Sequence, residues 1–169
     1  IVLACRQSGK SIAVVAYLLW YAIFKGEQVV GVLANKNAIA REMLARITLM
    51  LENLPFFLQP GCTALNKGSI GFSNNSRIIA AATSSSSIRG MSLNLVYLDE
   101  FAFVENASEF YTSTYPVISS GKTSKIIITS TANGIGNMFH KLYEGAAQGT
   151  NEFIPTRVDW WDVPGRDEA

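Results

Sequence analysis

Apolar and polar residues alternate along the chain in blocks that predict strands followed by helices. Residues 1–4 form a short apolar run, and a helix-forming segment follows from residue 10 to about residue 24. Gly26 comes directly after that segment and is expected to be the C-cap of the helix. Residues 28–34 are again apolar and predict the next strand.

A second helix is predicted after this strand, and one of its faces is apolar. Its apolar residues recur at helical spacing: Ile39, Met43, Leu44, Ile47, Leu51 and Leu54. We expect Asn37 to cap the start of this helix and Pro55 to stop it.

The rest of the chain continues the alternation. Residues 60–76 are rich in Gly, Asn and Ser and predict turns, with a short hairpin that pairs Ser69–Phe72 with Arg77–Ala82. Strands and helices are then predicted in turn at residues 95–98, 106–115, 124–131, 137–147 and 152–160. This order is typical of an α/β domain with a mostly parallel sheet and helices on both faces.

Polar clusters follow four of the predicted strands, at residues 5–11, 83–90, 99–100 and 129–134. Ligands of parallel sheets bind at the carboxyl ends of the strands. We therefore expect these clusters to meet at one edge of the sheet.

Composition limits the class of protein. A length of 169 residues fits one domain, and 49% hydrophobic with 16% charged residues suits a sheet covered on both faces. The net charge of +1 gives no global basic field, so any contact with DNA must be local. The two cysteines predict no disulfide framework, and no segment reads as a membrane span. Because the chain begins and ends abruptly, we interpret it as one domain of a longer protein.

The tripeptide Gly9-Lys10-Ser11 stands between a predicted strand and a predicted helix, where a phosphate-binding loop is found. Backbone N–H groups of such a loop point at an anion. Lys10 is expected to reach the β- and γ-phosphates of ATP, and the Ser11 hydroxyl to bind Mg²⁺. Ala4 stands where the standard pattern has Gly.

Asp99 and Glu100 follow the apolar run 95–98, where paired acids have no packing role. A helix cap or a solvated turn is the alternative. Beside a phosphate-binding loop, Asp99 is expected to hold Mg²⁺ through its water shell, and Glu100 to act as the general base for the attacking water.

These motifs resemble the large terminase subunits of tailed bacteriophages, in particular the myovirus type. Residues 5–11 (CRQSGKS) are similar to the variant Walker A motif of that family, and residues 96–103 (VYLDEFAF) to its Walker B motif. Residues 116–121 and 125–134 resemble the segment with the coupling motif, although Ala132 stands where relatives commonly have Pro. The resemblance implies a P-loop NTPase of the class with an additional strand between the Walker A and Walker B strands.

The resemblance also implies a set of residues that contact nucleotide: Arg6, Gln7, Ser8, Gly9, Lys10, Ser11, Thr129, Ser130 and Thr131. Arg6 is expected to act as an arginine finger in cis, with a salt bridge to a neighbouring acid as the alternative. Without nucleotide we expect it to turn toward Glu100, whereas Gln7 is assigned to loop positioning. Arg89 and Gly90 could sense nucleotide or contact DNA, with a surface arginine as the alternative, and Arg46 could face DNA or solvent.

The function implied by this resemblance is the ATPase of a DNA-packaging motor that binds ATP and Mg²⁺. Its partners would be double-stranded DNA, the portal protein and the small terminase subunit, with a homo-oligomeric ring on the portal in the host cell cytoplasm. A nuclease domain would lie beyond this chain. The alternatives are a helicase-like DNA translocase and a non-catalytic nucleotide-dependent assembly module, against which an intact Glu100 argues.

Overall fold

A computed structural model of the protein describes residues 1–83, 91–119 and 124–166. The strands are β1 (Val2–Ala4), β2 (Val29–Ala34), β3 (Cys62–Leu65), β4 (Ser69–Phe72), β5 (Arg77–Ala82), β6 (Leu95–Asp99), β7 (Lys125–Ser130) and β8 (Thr156–Val158). The helices are α1 (Lys10–Lys25), α2 (Asn37–Glu52), α3 (Ala107–Ser119) and α4 (Met138–Ala147). Gly26 is the C-cap of α1, as the sequence predicts. Asn137 is the N-cap of α4.

These strands form one sheet in the order β3-β4-β5-β2-β6-β7-β1-β8. The strands from β5 to β8 along this order pair in parallel, whereas β3 and β4 add an antiparallel edge. The mostly parallel α/β sheet and the hairpin of β4 with β5 are therefore confirmed. Strand β7 lies between β6 and β1, so the additional strand implied by the resemblance is also present.

The sheet is covered on both faces, and β6 illustrates why its strands read as continuous apolar runs. Leu95 and Tyr97 pack in the core that contains the buried residues of α1 and α2. Val96 and Leu98 pack in a second core with residues of α3 and α4. Because successive side chains of a strand point to opposite faces, a doubly covered strand needs apolar residues at every position.

The start of α2 differs from the prediction. Lys36, rather than Asn37, is the N-cap, and no side chain caps the helix. Lys36 has an extended backbone, and its carbonyl oxygen accepts a hydrogen bond from the N–H of Ala40 at 3.2 Å. The helix thus begins one residue earlier than predicted, and Asn37 lies in its first turn rather than at its cap.

The last strand is much shorter than the predicted range 152–160. Strand β8 begins only at Thr156, and at the start of the predicted range Asn151 Oδ1 accepts from the N–H of Phe153 at 3.0 Å. On the other side, Asp159 caps the 3-10 turn Trp160–Asp162. Local side-chain bonds of this kind compete with pairing along a strand.

Strand β3 was not predicted, because its residues read as part of the turn-rich segment. It is exposed along its whole length and pairs only with β4 at the edge of the sheet. An edge strand that contributes nothing to the core has no period-2 apolar pattern to reveal it. In the described part of the chain, no helix is long and apolar enough to cross a bilayer.

Candidate active site

The carboxyl ends of β1, β6 and β7 lie side by side and bring three of the predicted polar clusters together. Lys10 Nζ is 2.6 Å from Glu100 Oε1, and Ser11 Oγ is 3.4 Å from Asp99 Oδ1. Thr129 Oγ1 donates to Asp99 Oδ1 at 2.7 Å. The predicted meeting of these residues at one sheet edge is confirmed. The fourth cluster, residues 83–90 with Arg89 and Gly90, lies outside the described residues except for Thr83.

The loop between β1 and α1 has a backbone suited to binding an anion. Gln7 and Gly9 have positive φ angles of 57° and 81°, so the chain turns sharply before α1. Gly9 is the N-cap of α1, and neither a side-chain cap nor an acidic residue in the first turn satisfies the helix N-terminus. Ser8 Oγ is buried without a hydrogen-bond partner among the described residues. Unsatisfied donors and the positive end of the helix dipole favour a phosphate here.

A cleft of about 150 Å³ lies over this loop. It is lined by Gln7, Ser8, Gly9, Lys10, Ser11, Ile12 and Arg46. Arg46 lies on α2 and pairs with Glu42 at 2.6 Å. Its position beside the loop was not predicted, because the distance between α2 and the loop depends on helix packing.

Asp99 is buried and held by hydroxyl groups from its own strand and the neighbouring strand. Tyr97 OH donates to Asp99 Oδ1 at 2.8 Å, and Thr129 Oγ1 donates to the same oxygen. The other carboxylate oxygen, Oδ2, lies 3.5 Å from Ser11 Oγ. Burial, and then the negative charge of Asp99, raise the pKa of the Tyr97 phenol far above its ordinary value, so Tyr97 remains a neutral donor.

Tyr97 is a site residue that the sequence analysis did not assign. The signal was its position two residues before Asp99 in the same strand, which puts both side chains on one face. A tyrosine at that position reads equally well as core, and its ring is indeed fully buried.

Removing the Tyr97 hydroxyl is expected to lower stability more than removing an ordinary tyrosine hydroxyl would. Tyr97→Phe should lower the free energy of unfolding by about 1.5–3 kcal/mol, because the lost bond goes to a charged carboxylate. Tyr21→Phe is the matched control, since Tyr21 OH donates to the neutral Gln28 Oε1 at 2.9 Å and its loss should cost about 0.5–1.5 kcal/mol. Urea denaturation measures both variants. Equal losses would contradict the role assigned to Tyr97.

Glu100 is held in an uncommon backbone conformation directly after β6. Its φ and ψ are 48° and 44°, in the left-handed region that non-glycine residues rarely adopt and that recurs at functional sites. Glu100 Oε2 accepts from the backbone N–H of Thr131 at 3.2 Å and from Thr131 Oγ1 at 3.1 Å. Burial alone would raise the pKa of Glu100, but the bonds from Lys10 and Thr131 outweigh it, and the pKa lies below its ordinary value. Glu100 is therefore ionised at neutral pH.

The end of β7 is tied to the segment that follows Glu100. Ser130 Oγ accepts from the N–H of Ala102 at 3.1 Å and lies 3.5 Å from Glu100 Oε2. Asn133 Nδ2 donates to the carbonyl oxygen of Ala102 at 2.9 Å. Thr129, Ser130 and Thr131 thus contact the two acids, and their contact with a γ-phosphate stays a prediction.

Arg6 does not contact Glu100, and that expectation was wrong for this structure. The Arg6 side chain is exposed and forms no ion pair with any other described residue. Lys10 already neutralises Glu100, and an exposed guanidinium keeps its hydration without a partner. Its role as an arginine finger stays a prediction.

The site has the oxygen donors that Mg²⁺ needs beside a nucleotide. No group of three or more His, Cys, Asp or Glu that could hold a metal occurs in residues 1–83, 91–119 and 124–166. Nucleotide-bound Mg²⁺ takes only one or two protein ligands and completes its shell with phosphates and water. The Ser11 hydroxyl and the Asp99 carboxylate, 3.4–3.5 Å apart, fit this requirement.

Comparison with known proteins identifies the family of the chain. The family model for the terminase large subunit, T4likevirus-type, N-terminal, matches residues 1–161. The chain belongs to this family.

Solved structures of phage large terminases share the fold of this terminase domain. The large terminase ATPase domain of Thermus phage P74-26 is 20% identical, with a TM-score of 0.78, over 96% of this chain and 76% of that one. The HK97 bacteriophage large terminase is 18% identical, with a TM-score of 0.74, over 94% of this chain and 35% of that one. The large terminase of a thermophilic bacteriophage, in complex with ADP, is 15% identical, with a TM-score of 0.65, over 94% of this chain and 39% of that one. This terminase domain thus spans little more than a third of the last two chains.

Proposed function

We propose that this terminase domain hydrolyses ATP and that hydrolysis powers the packaging of double-stranded DNA into the capsid. The observation that carries the proposal is the contact of Lys10 with Glu100 and of Ser11 with Asp99 across one sheet edge. The uncapped N-terminus of α1 adds the donors for phosphate. The ADP complex of the large terminase from the thermophilic bacteriophage supports nucleotide as the ligand.

In the proposed mechanism, the phosphates of ATP bind the loop of residues 6–11, and Lys10 moves from Glu100 to their greater negative charge. Glu100 keeps its two bonds from Thr131, which hold the carboxylate in place. It accepts a proton from water as the water oxygen bonds to the γ-phosphorus and the bond to the ADP oxygen breaks. Ser11 and Asp99 would hold Mg²⁺, which would supply neutralisation of phosphate charge when bound.

Strand β7 is proposed to pass the state of the nucleotide to the rest of the domain. Its end contacts Asp99 through Thr129 and Glu100 through Thr131. The turn after it contacts Ala102 through Asn133. Movement of Glu100 on loss of the γ-phosphate would therefore displace both the end of β7 and the segment after β6.

The proposed partners are those of a packaging motor. They are double-stranded DNA, the portal protein, the small terminase subunit and further copies of the chain in a ring on the portal, within the host cell cytoplasm. A helicase-like translocase is not favoured, because the terminase family model matches residues 1–161.

Lys10→Ala tests nucleotide binding by this site. The variant should abolish measurable binding of a fluorescent ATP analogue, because Lys10 is the cation at the first residue of α1 beside the loop. Lys25→Ala removes an exposed lysine from the other end of the same helix and should bind normally. Unchanged binding in Lys10→Ala would refute the site. The motor role is tested by DNA-stimulated phosphate release from the full-length protein, with and without portal.

A further inference from the structure

The segment that follows β8 folds back onto the phosphate-binding loop. Pro164 and Gly165 form a tight turn in which the N–H of Arg166 donates to the carbonyl oxygen of Val163 at 3.2 Å. Gly165 has a φ of 78°, which a type II turn requires at that position. The Arg166 guanidinium lies 4.3 Å from the ring centroid of Trp160, so an aromatic face fixes its plane.

Arg166 contacts the backbone of the loop with both arms of its guanidinium. Nη1 donates to the carbonyl oxygen of Arg6 at 2.9 Å, and Nη2 donates to that of Gln7 at 3.0 Å. Nη1 also lies 3.7 Å from Cys5 Sγ. Arg166 forms no ion pair with an acid in the described part of the chain, so both of its Nη groups are available for the bonds to the loop.

These two bonds determine which way the loop N–H groups point. The peptide bonds involved are trans, and in a trans peptide the C=O and N–H point in opposite directions. A cation that holds the carbonyl groups of Arg6 and Gln7 from one side turns the N–H groups of Gln7 and Ser8 to the other side. Those N–H groups donate to no other described residue and are available to an anion.

Three consecutive residues at the start of the loop, Cys5, Arg6 and Gln7, are each held by a hydrogen bond to the backbone. Strand β1 pairs with β8, and beyond the pairing the N–H of Cys5 donates to the carbonyl oxygen of Val158 at 2.9 Å. Arg166 then holds the next two residues, of which Gln7 has the left-handed φ of 57°. A residue in this conformation needs support from its surroundings to persist.

We propose that Arg166 is a positioning residue that holds the phosphate-binding loop in its anion-binding conformation. The proposal rests on the proposed function, because it assigns a support to the same nucleotide site. Arg166 acts on phosphate through the backbone of Arg6 and Gln7 and does not itself take part in proton transfer.

The test compares Arg166→Ala, Arg166→Lys and the control Arg157→Ala in the full chain. Arg157 lies in β8, just before this segment, and its guanidinium pairs with Asp159 and does not contact the loop. We expect Arg166→Ala to weaken ADP binding about 10–100-fold, the range over which small misplacement of binding groups acts. It should raise KM for ATP more than it lowers kcat, and Arg157→Ala should change neither. Arg166→Lys should recover only part of the affinity, because one ammonium group cannot reproduce the two-armed fork.

Hydrogen exchange of the Cys5 amide, the loop amide that is bonded to Val158 directly before the residues that Arg166 holds, provides a readout that needs no nucleotide. Arg166→Ala should speed the exchange of the Cys5 amide at least several-fold, while the amides of β6 and β7 keep the rates of the unmodified chain. Unchanged loop exchange together with unchanged ADP affinity would overturn the proposal. If Arg166→Ala perturbs the far-UV circular dichroism, Arg166→Lys decides by the same two measurements.

The experiment separates this proposal from the nucleotide site itself. If the unmodified chain binds ADP and Lys10→Ala does not, the site stands, and normal ADP binding by Arg166→Ala refutes only the support by Arg166. If the unmodified chain does not bind ADP, the proposed function fails, and loop exchange alone then decides whether Arg166 holds the loop.

Discussion

Glu100→Gln is expected to slow ATP hydrolysis by about 10²–10⁴ while ATP stays bound, because this is the usual contribution of a general base. Glutamine can still accept the N–H of Thr131, so the backbone after β6 should keep its conformation. In the structure Lys10 is paired with the Glu100 carboxylate, and the substitution removes that competing charge. ATP affinity should therefore be unchanged or higher. Single-turnover phosphate release and equilibrium binding of a fluorescent ATP analogue measure the two effects separately.

The comparison with Lys10→Ala shows whether the two residues divide the work. Lys10→Ala should lose binding, and Glu100→Gln should lose only the chemical step. Glu144→Gln, an exposed substitution on α4, controls for the loss of one negative charge and should hydrolyse ATP normally. Equal loss of binding in the Lys10 and Glu100 variants would refute the division of roles.

Arg6→Ala is expected to lower turnover by about 10³–10⁵ with only a modest loss of ATP affinity, the effect of removing an arginine finger. The Arg6 side chain is exposed and forms no ion pair with the other described residues, so it is available to the γ-phosphate. Its carbonyl oxygen is held by Arg166, and the side-chain substitution leaves that bond in place. Loss of turnover in Arg6→Ala would therefore report the guanidinium rather than the loop backbone.

Arg6→Lys should recover little activity, because a single ammonium group cannot make two parallel bonds to phosphate oxygens. Arg77→Ala is the control. Arg77 is exposed at the amino end of β5, whereas the site lies at the carboxyl ends of the parallel strands. Single-turnover hydrolysis distinguishes these variants. Near-normal hydrolysis by Arg6→Lys would mean that Arg6 only supports the loop.

Local sequence patterns were enough to predict most of the fold and the residue types of the site. Short patterns predict the strand, tight loop and helix around Lys10, and another short pattern predicts the acids at the end of β6. Each of these patterns lies within a short stretch of the chain. Where local signals compete, prediction was weaker. The Asn37 cap was wrong because the chain became helical one residue earlier. Strand β8 was predicted too long, because Asn151 and Asp159 accept hydrogen bonds from backbone N–H groups two and three residues further along the chain.

Contacts between distant residues depended on the tertiary structure. The position of β7 beside both β6 and β1 was known only from the family resemblance, since no periodicity states which strands are neighbours. The hydroxyl groups of Tyr97 and Thr129 on Asp99 require that order, because a neighbouring strand supplies one of the two donors.

By itself, the sequence predicted that a phosphate-binding loop and a pair of acids stand at the ends of strands, and their position at strand ends is confirmed. Only the tertiary structure decided that Lys10 rather than Arg6 holds Glu100, and that Arg166 contacts a loop 159 or 160 residues away along the chain. The physical reason is that periodicity encodes which face of an element is buried, whereas a polar contact depends on distances of about 3 Å between side chains. Those distances are set by how the strands are ordered and how the chain returns after β8.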